Sequence, residues 1–449
     1  MRVHALGRQS LWVDEAYTWG VVARTSWRDV WAAMLAVSDV SPLAYVIAKL
    51  GAPLFSVTEF GLRLTGALAG WLAIPVVYRL GRAMMGGRVG ALAAAIVAVS
   101  PFAVWYSQDA RPYGLYLLLS ALALWGFWRA RGGRGWALFI ASSAALYLTH
   151  YVAALFVYAQ AAYILTQLRR SPKLLRQWAG AQAVAVLPVA AWVAAFLAQR
   201  QLLTSLSWIP PVTILTPLQT LWNFASGDAA RWSLPMIAGV LVLLALMALG
   251  ARTHRTARAL LLWWLILPLL AAWLFSLRRP AYVDRYFLPG LLTVALLLAA
   301  GLLRLPRLWR VAGTALTLAG LLIASTRLYT DPQFAKEDWR GAAAAIQADG
   351  LKVGVPDVES ALGLTPYIAP QVKFSFARNA AELSARLAEG PFVLILRSPH
   401  ESAHALTESV PFEPLTEGPG FFLQWRAAHA GVPLSVRRFT GLALVVVGK

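Results

Sequence analysis

Ten apolar runs fill most of the chain up to residue 330, and they constrain its fold more than any other feature. The runs cover roughly residues 62–80, 89–106, 113–128, 136–149, 151–168, 178–198, 233–250, 259–277, 286–303 and 311–328. Several of them reach the roughly 20 residues that a helix needs to cross about 30 Å of hydrocarbon. Charged residues make up 13% of the chain, whereas soluble domains carry about 25%. The sequence therefore predicts a polytopic α-helical membrane protein.

The basic residues are concentrated in the membrane part. Residues 1–330 contain 29 Lys and Arg but 8 Asp and Glu, whereas residues 331–449 contain 11 and 12. Cytoplasmic loops and anionic lipids explain such an excess in a membrane protein, so we expect no nucleic-acid partner. The balanced tail is typical of a soluble domain, which predicts a division into domains 1–330 and 331–449. The chain has no Cys, which excludes disulfides, thiol catalysis and thiolate-bound metals.

The loops between the apolar runs predict the orientation in the membrane. One alternating set contains sixteen basic residues and no acidic one: Arg79, Arg82, Arg88, Arg129, Arg131, Arg134, Arg169, Arg170, Lys173, Arg176, Arg252, Arg255, Arg258, Arg304, Arg307 and Arg310. The other set contains six basic residues together with Asp109, Asp228 and Asp284. The positive-inside rule places the first set in the cytoplasm. The alternation of the two sets requires residues 41–58 to lie in the membrane interface. Residues 10–60 are then the first extracytoplasmic loop. The predicted location of the protein is the cell (inner) membrane.

The pattern after residue 331 predicts a small extracytoplasmic α/β domain. Asn379 and Glu382 have the spacing of a capping box that opens a helix, and Gly390 follows as its end. Short β-rich runs alternate with helical patterns at Leu351–Val355, Phe392–Leu396, Phe421–Trp425 and Leu442–Val447. In the first loop, apolar residues from Trp27 to Leu35 recur at helical spacing, which predicts a short helix in the interface plane.

Acidic residues are rare in the membrane part, and three of them belong to the predicted extracytoplasmic face. Asp14 and Glu15 lie between aromatic residues in the stretch Ser10–Trp19, and Asp109 belongs to the polar turn Tyr106–Tyr113. His150 and the pair Arg285–Tyr286 lie at turns on the same side. Each alone has an ordinary explanation: solvated loop charges, a structural histidine, or an arginine that snorkels to the interface. Carboxylates and cations gathered on one membrane face favour a functional site.

This mixture of groups suits glycosyl transfer from a lipid phosphate. A carboxylate can serve as the general base for the acceptor hydroxyl. A nearby negative charge stabilises the oxocarbenium-like state of the sugar. The departing phosphate needs cations, and the guanidinium fork of Arg matches its oxygens.

Several motifs carry a resemblance to a known family. They are Leu11–Ala16, Ser41–Leu43, Phe60–Leu64, Tyr106–Tyr113, Thr149–Tyr151, Arg285–Pro289 and, at the opening of the tail domain, Asp338–Ala343. In this order they resemble the GT-C membrane glycosyltransferases of family 39, a group that includes bacterial protein O-mannosyltransferase-like enzymes and the lipid A aminoarabinose transferase. The resemblance covers about residues 10–330. It implies a GT-C-like fold and inverting transfer of a sugar from a polyprenyl-phosphate donor to an acceptor hydroxyl.

The resemblance also implies roles for individual residues. Asp14 matches the catalytic carboxylate, here the general base, with Glu15 beside it, and Asp109 matches a second carboxylate of the active site. The residues matched to the donor phosphate and lipid are Arg111, His150, Arg285, Tyr286 and, with a different local spacing, Lys49. The family members closest to this motif set need no metal, so we expect neither a metal site nor a cofactor. The expected partners are the lipid-linked donor and a glycan, lipid or protein acceptor; the sequence says nothing of sugar identity or oligomeric state.

One departure from the family and two alternative functions stay open at this point. Relatives begin with a transmembrane helix before the Asp-Glu loop, whereas Met1 lies 13 residues upstream of Asp14. Either the start of the chain was assigned too late, which we expect, or the first helix is absent. A transporter or flippase of lipid-linked sugars is the main alternative, and it would favour ionisable residues near the bilayer midplane. A relative that kept the fold and lost activity is the second alternative.

Overall fold

The computed structural model of the protein describes residues 1–36, 42–167, 171–198, 209–227, 233–252, 254–397 and 413–449. Ser41, Arg169, Arg170 and Asp228, which entered the sequence predictions, lie outside the described residues. Within the described ranges the chain is mostly helical and ends in one mixed sheet. The prediction of a polytopic helical protein with a small C-terminal α/β domain is confirmed.

The membrane part contains fifteen α-helices in the described residues. They are α1 Val13–Val22, α2 Trp27–Ala36, α3 Pro42–Phe55, α4 Glu59–Met85, α5 Gly87–Val99, α6 Pro101–Ser107, α7 Tyr113–Ala130, α8 Trp136–Tyr147, α9 Ala153–Gln167, α10 Pro172–Ala198, α11 Thr216–Ser226, α12 Leu234–Ala251, α13 Arg255–Ser276, α14 Gly290–Arg304 and α15 Arg307–Thr330. Each predicted apolar run lies on one or two of these helices. Among the described residues, α4, α10, α12, α13 and α15 are long and apolar enough to cross a membrane.

The apolar run at residues 89–106 is not one straight helix. Helices α5 and α6 meet at a bend of 60° around Ser100. Pro101 causes the break because it lacks an amide hydrogen and restricts the backbone of the residue before it. The Ser100 hydroxyl caps the second helix by accepting the N–H of Ala103 at 3.3 Å. With α5 and α6 taken as one broken span, the described residues hold six candidate spans.

The first loop contains the predicted short helix, which the structure shows as α2. Val30, Met34 and Leu35 are buried, whereas Trp27 and Trp31 are exposed on the other face. Helix α3 has 14 residues and is about 21 Å long at 1.5 Å per residue. That length is too short to cross the hydrocarbon unaided, and its interfacial position stays a prediction. In the described residues between α10 and α12, the chain forms one more helix, α11.

The C-terminal domain is a mixed sheet with helices. Its elements are α16 Trp339–Asp349, β1 Lys352–Val355, α17 Val358–Leu364, β2 Phe374–Phe376, α18 Ala380–Ala388, β3 Phe392–Arg397, α19 Pro414–Glu417, α20 Gly420–Ala428, β4 Leu434–Phe439 and β5 Leu442–Val447. The strand order is β2-β1-β3-β5-β4. The first three strands are parallel, and β5 pairs antiparallel with β3 and β4. The predicted cap is present, since Asn379 accepts the N–H of Glu382 at 2.9 Å.

Three of the four predicted strands are confirmed, and the fourth is wrong. Residues 421–425 belong to helix α20 rather than to a strand. Phe422 and Trp425 are buried three residues apart, which is the spacing of one helix face. A short apolar run cannot distinguish the two structures by itself, and here the period of the buried positions decides for the helix.

Helix α1 packs against both parts of the protein. Val13 belongs to a buried cluster of the C-terminal domain that also contains Trp339. Leu11, just before the helix, belongs to a second cluster with Leu62 and Ala110 of the membrane part. The Asp-Glu stretch therefore lies at the junction of the bundle and the C-terminal domain.

Two glycines allow α4 to approach the polar turn that carries Asp109. A Cβ on Gly114 would lie 2.2 Å from the carbonyl oxygen of Gly66, and a Cβ on Gly66 would lie 2.9 Å from that of Asp109. Both distances are shorter than real Cβ contacts. The position of Asp109 next to α4 therefore depends on the absence of side chains at these two residues.

We expect Gly114→Ala to destabilise the protein by about 1–3 kcal/mol, the usual cost of overpacking. The new methyl group would force α4 and α7 apart, and it would move the turn with them. Thermal unfolding of the purified protein in detergent measures the loss. Gly180→Ala is the matched control, because nothing lies within 4 Å of the added Cβ; equal melting of the two variants would contradict the close approach.

Candidate active site

Glu15 is fixed by a buried arginine of α4. Trp12 is the N-cap of α1, and its N–H donates to Oε2 of Glu15 at 3.3 Å. Arg63 Nε donates to Oε1 of Glu15 at 2.7 Å, and Nη2 donates to Oε2. The remaining donors of Arg63 bind the carbonyl oxygens of Leu6, Gln9 and Ser10 at 2.6–2.8 Å. One guanidinium therefore fixes both the segment before α1 and the first turn of the helix.

Glu15 is fully buried and ionised. Its Oε1 also accepts the backbone N–H of Ala110 at 2.8 Å and lies 3.1 Å from Nζ of Lys336. Burial alone would raise the pKa of Glu15, but the Arg63 and Lys336 cations hold that pKa well below its usual range. All of its contacts are internal, and its side chain is 0% exposed.

Asp109 lies beside Glu15 in an equally buried position. Its Oδ1 accepts Nε1–H of Trp12 at 2.9 Å and lies 3.4 Å from Nζ of Lys336. Its Oδ2 has no hydrogen-bond donor among the residues that the structure describes. Burial and the neighbouring Glu15 carboxylate raise the pKa of Asp109 to about 6, against the opposing effect of Lys336. Asp109 therefore changes its charge near pH 6, whereas Glu15 stays ionised at that pH.

Asp14 is the most accessible of the three carboxylates. Its side chain is 29% exposed, whereas the side chains of Glu15 and Asp109 are 0% and 1% exposed. Its Oδ2 lies 3.7 Å from Nη2 of Arg285. The Nε of Arg285 donates to the hydroxyl of Tyr113 at 2.9 Å, which orients the guanidinium. The carboxylate of Asp14 is therefore open to a substrate, and the Arg285 side chain next to it is 10% exposed.

A cluster of aromatic rings lies next to Arg285. The His150 ring stacks on Tyr116 with centroids 4.7 Å apart and meets the edge of Tyr286 at 4.9 Å. Tyr151 packs on both rings, 5.1 Å from His150 and 5.8 Å from Tyr286. Arg285 lies 6.0 Å from the centre of the Tyr286 ring. His150 is 3% exposed, and its Nδ1 accepts the N–H of Val152 at 3.2 Å.

The two remaining predicted residues take different positions. Arg111 is next to the site, since its Nη1 donates to the carbonyl oxygen of Asp14 at 3.4 Å and to the Tyr45 hydroxyl at 3.2 Å. Lys49 is at the far end of α1, where its Nζ donates to the carbonyl oxygens of Val22, at 3.0 Å, and Arg24. Val22 is roughly 12 Å beyond Asp14 along the helix axis. The structure therefore brings together every predicted site residue except Lys49, while the catalytic and binding roles stay predictions.

Three residues of the site have no role in the sequence prediction. Arg63 stands in one of the family motifs, and Tyr113 ends another, so both had a signal in the sequence. Lys336 had none, because it comes from the segment between α15 and α16 and lies far from the other site residues along the chain. A buried carboxylate pair nevertheless requires compensating cations, and Arg63 and Lys336 are those cations.

A cavity of about 440 Å³ lies beside the two cations that pair with the buried carboxylates. Lys336, Arg63 and Trp105 form part of its wall, together with Gln9 and Tyr329. Among the described residues, the wall includes neither the pair Asp14 and Arg285 nor the buried carboxylates Glu15 and Asp109. The cavity is therefore adjacent to the buried part of the site rather than to the accessible carboxylate.

Comparisons with known proteins agree with this architecture. The family model of dolichyl-phosphate-mannose-protein mannosyltransferases matches residues 39–196, which is less than half of the chain. No curated protein sequence matches the chain. Among solved structures, the chain is similar to ArnT from Cupriavidus metallidurans in the apo state, with a TM-score of 0.63 and 12% identity over 99% of this chain and 95% of that one.

The same ArnT bound to undecaprenyl phosphate gives a TM-score of 0.60 and 14% identity, over 100% of this chain and 96% of that one. At this level of identity the likeness shows the fold. The resemblance to GT-C membrane glycosyltransferases is thus confirmed: the chain is an integral membrane protein with the ArnT fold.

Proposed function

We propose that the protein transfers a sugar from a polyprenyl-phosphate donor to an acceptor hydroxyl, with inversion, at the extracytoplasmic face of the membrane. The observation that carries the proposal is the pairing of an accessible carboxylate, Asp14, with a cation, Arg285, at one end of the bundle. The ArnT fold supports it, since one of the similar ArnT structures holds undecaprenyl phosphate. The sugar and the acceptor stay open.

The reaction that we propose is a single displacement. The acceptor oxygen attacks the anomeric carbon while the bond from that carbon to the phosphate oxygen breaks. The acceptor proton passes to Asp14, and the bonding electrons leave with the polyprenyl phosphate. Attack opposite to the leaving group inverts the configuration at the anomeric carbon. A carboxylate is suited to the first task and a guanidinium to the second.

Arg285 is the group that we assign to the leaving phosphate. Tyr113 orients its Nε, so that the guanidinium stays next to Asp14 without pairing closely with it. The separation of 3.7 Å is longer than a strong ion pair, and phosphate oxygens could take the place of the weak contact. Tyr286 and His150 would line the path of the lipid phosphate, and Arg111 would hold the backbone of Asp14.

Glu15 and Asp109 have a different role in this proposal. Both are buried, and each accepts a hydrogen bond from a buried side chain, Glu15 from Arg63 and Asp109 from Trp12. We therefore assign them to positioning: Glu15 holds the first turn of α1 through Arg63, and Asp109 holds the Trp12 indole. Lys49 binds carbonyl oxygens at the far end of the helix, and its predicted contact with the phosphate would require a donor that extends over that distance.

We expect Asp14→Asn to lower transfer by about 10²–10⁴-fold, the usual contribution of a general base. The assay incubates purified protein with a synthetic polyprenyl-phosphate sugar and candidate acceptors, and it counts sugar transferred. Asp29→Asn, an exposed aspartate on α2, is the matched control and should keep full turnover. Unchanged turnover in the Asp14 variant would remove Asp14 from the mechanism. Movement of intact donor across the membrane, without cleavage, would favour the flippase alternative.

The orientation can be tested because the chain has no cysteine of its own. We expect Ser435→Cys, exposed on β4, to react with a membrane-impermeant maleimide in intact cells. Gly87→Cys, at the opposite arginine-rich loops, should react only after the cells are opened; nothing lies within 4 Å of its Cβ. The reverse labelling pattern would contradict the extracytoplasmic site.

We also propose that the reaction needs no metal ion, as the resemblance implies. Two protein cations, Arg285 and Arg111, lie near Asp14 and can neutralise the departing phosphate. Turnover should therefore be unchanged after dialysis against EDTA. A loss that Mg²⁺ or Mn²⁺ restores would contradict this expectation.

A further inference from the structure

We propose that Lys336 is a positioning residue through which the C-terminal domain maintains the position of Asp14 in the first turn of α1. Its ammonium group balances the two buried carboxylates behind Asp14. The inference rests on the proposed function, because it assigns Lys336 a role in the transfer that Asp14 carries out.

Lys336 is held by the C-terminal domain on one side and by the N-terminal segment on the other. Its backbone N–H donates to Oε1 of Gln9 at 2.9 Å. The next residue, Glu337, accepts Nε–H of Arg397 at 2.9 Å, at the end of β3. Asp338 then donates its N–H to the carbonyl oxygen of Thr440 at 3.0 Å, beside β5. The sheet therefore fixes the place from which the Lys336 side chain extends.

The ammonium group completes a balanced set of charges. Its Nζ lies 3.1 Å from Oε1 of Glu15 and 3.4 Å from Oδ1 of Asp109, and the side chain is 7% exposed. In the part of the chain that the structure describes, the charged groups that face Asp109 are Glu15 from α1, Arg63 from α4 and Lys336. Two carboxylates thus share two cations away from water. Without Lys336, Arg63 alone would face both carboxylates, and a buried unpaired charge is strongly unfavourable.

Trp12 connects this charge balance to the accessible carboxylate. The indole donates to Oδ1 of Asp109 at 2.9 Å, and its ring centre lies 5.9 Å from Nζ of Lys336. The same ring centre lies 5.8 Å from the guanidinium carbon of Arg285. Trp12 is also the N-cap of α1, two residues before Asp14. A displaced Asp109 would therefore move the indole and, with it, the spacing of Asp14 and Arg285.

The first test needs no transfer activity. Lys336→Gln should melt below the wild type at pH 8, and the gap should close as the pH falls to 5. The reason is that Asp109 has a pKa above its unfolded value, so its ionised form costs stability, and this cost disappears as protonation neutralises it. Without Lys336 the ionised form of Asp109 costs more stability, and Asp109 becomes protonated at a higher pH. Glu15 stays ionised across this window, because its pKa lies below its usual range.

The second test measures transfer by the full chain. Lys336→Gln should lower kcat at least tenfold, leave KM for the synthetic donor within about twofold, and move the acid limb of the pH–rate profile upward by about 1–3 units. Lys336→Arg keeps the charge and should restore most of kcat. Lys352→Gln removes an exposed lysine of the same domain and should behave as the wild type.

A double variant separates the charge effect from a general loss of structure. On an Asp109→Asn background, Lys336→Gln should lose its pH-dependent effect on melting, because the carboxylate that it balances is gone. A melting gap independent of pH, or a lowered kcat with an unmoved acid limb, would overturn the proposal. Wild-type protein without any transfer would refute the proposed function, whereas the melting experiment would still decide whether Lys336 balances Asp109.

Discussion

The buried ion pair of Arg63 and Glu15 is the interaction on which the arrangement of the site depends. An isolated charge is very unfavourable in such a place, so the two groups must stay together. Because Arg63 also binds three carbonyl oxygens of the preceding segment, the pair fixes a stretch of chain that has little regular structure of its own. The position of α1, and therefore of Asp14, follows from this pair and from the glycines that bring Asp109 to α4.

The three carboxylates have similar chemistry, but they differ in burial and therefore in charge and accessibility. Glu15 is paired so strongly that it stays charged. Burial raises the pKa of Asp109 to about 6, because its pairing compensates less completely. Asp14 alone keeps appreciable exposure and faces a cation that is itself oriented by a tyrosine. The same chemical group thus serves as a structural anchor at Glu15, as a titrating neighbour at Asp109 and, in the proposed mechanism, as the general base at Asp14.

Much of this could be predicted from the sequence, and the remainder had physical reasons to be missed. Long apolar runs indicate membrane helices, so the helices could be predicted. Acidic residues are rare in such a chain, so the grouping of Asp14 with Asp109 could be predicted as well. The bend at Ser100 is a local effect of Pro101 within an otherwise continuous run. Residues 421–425 lack a period that separates helix from strand. Lys336 is one lysine in a balanced soluble domain, and only the folded chain shows that it meets Glu15.

The contact between the two ends of the chain also has a consequence for biogenesis. Ser10 and Asp338 are hydrogen-bond partners 328 positions apart, which a ribosome working at about 5–20 residues per second covers in roughly 15 to 65 s. During that interval Glu15 can find Arg63, but the ammonium group and the apolar partners of Val13 have not yet been synthesised. The contacts around Asp14 therefore stay incomplete until the last hundred residues of the chain have been synthesised.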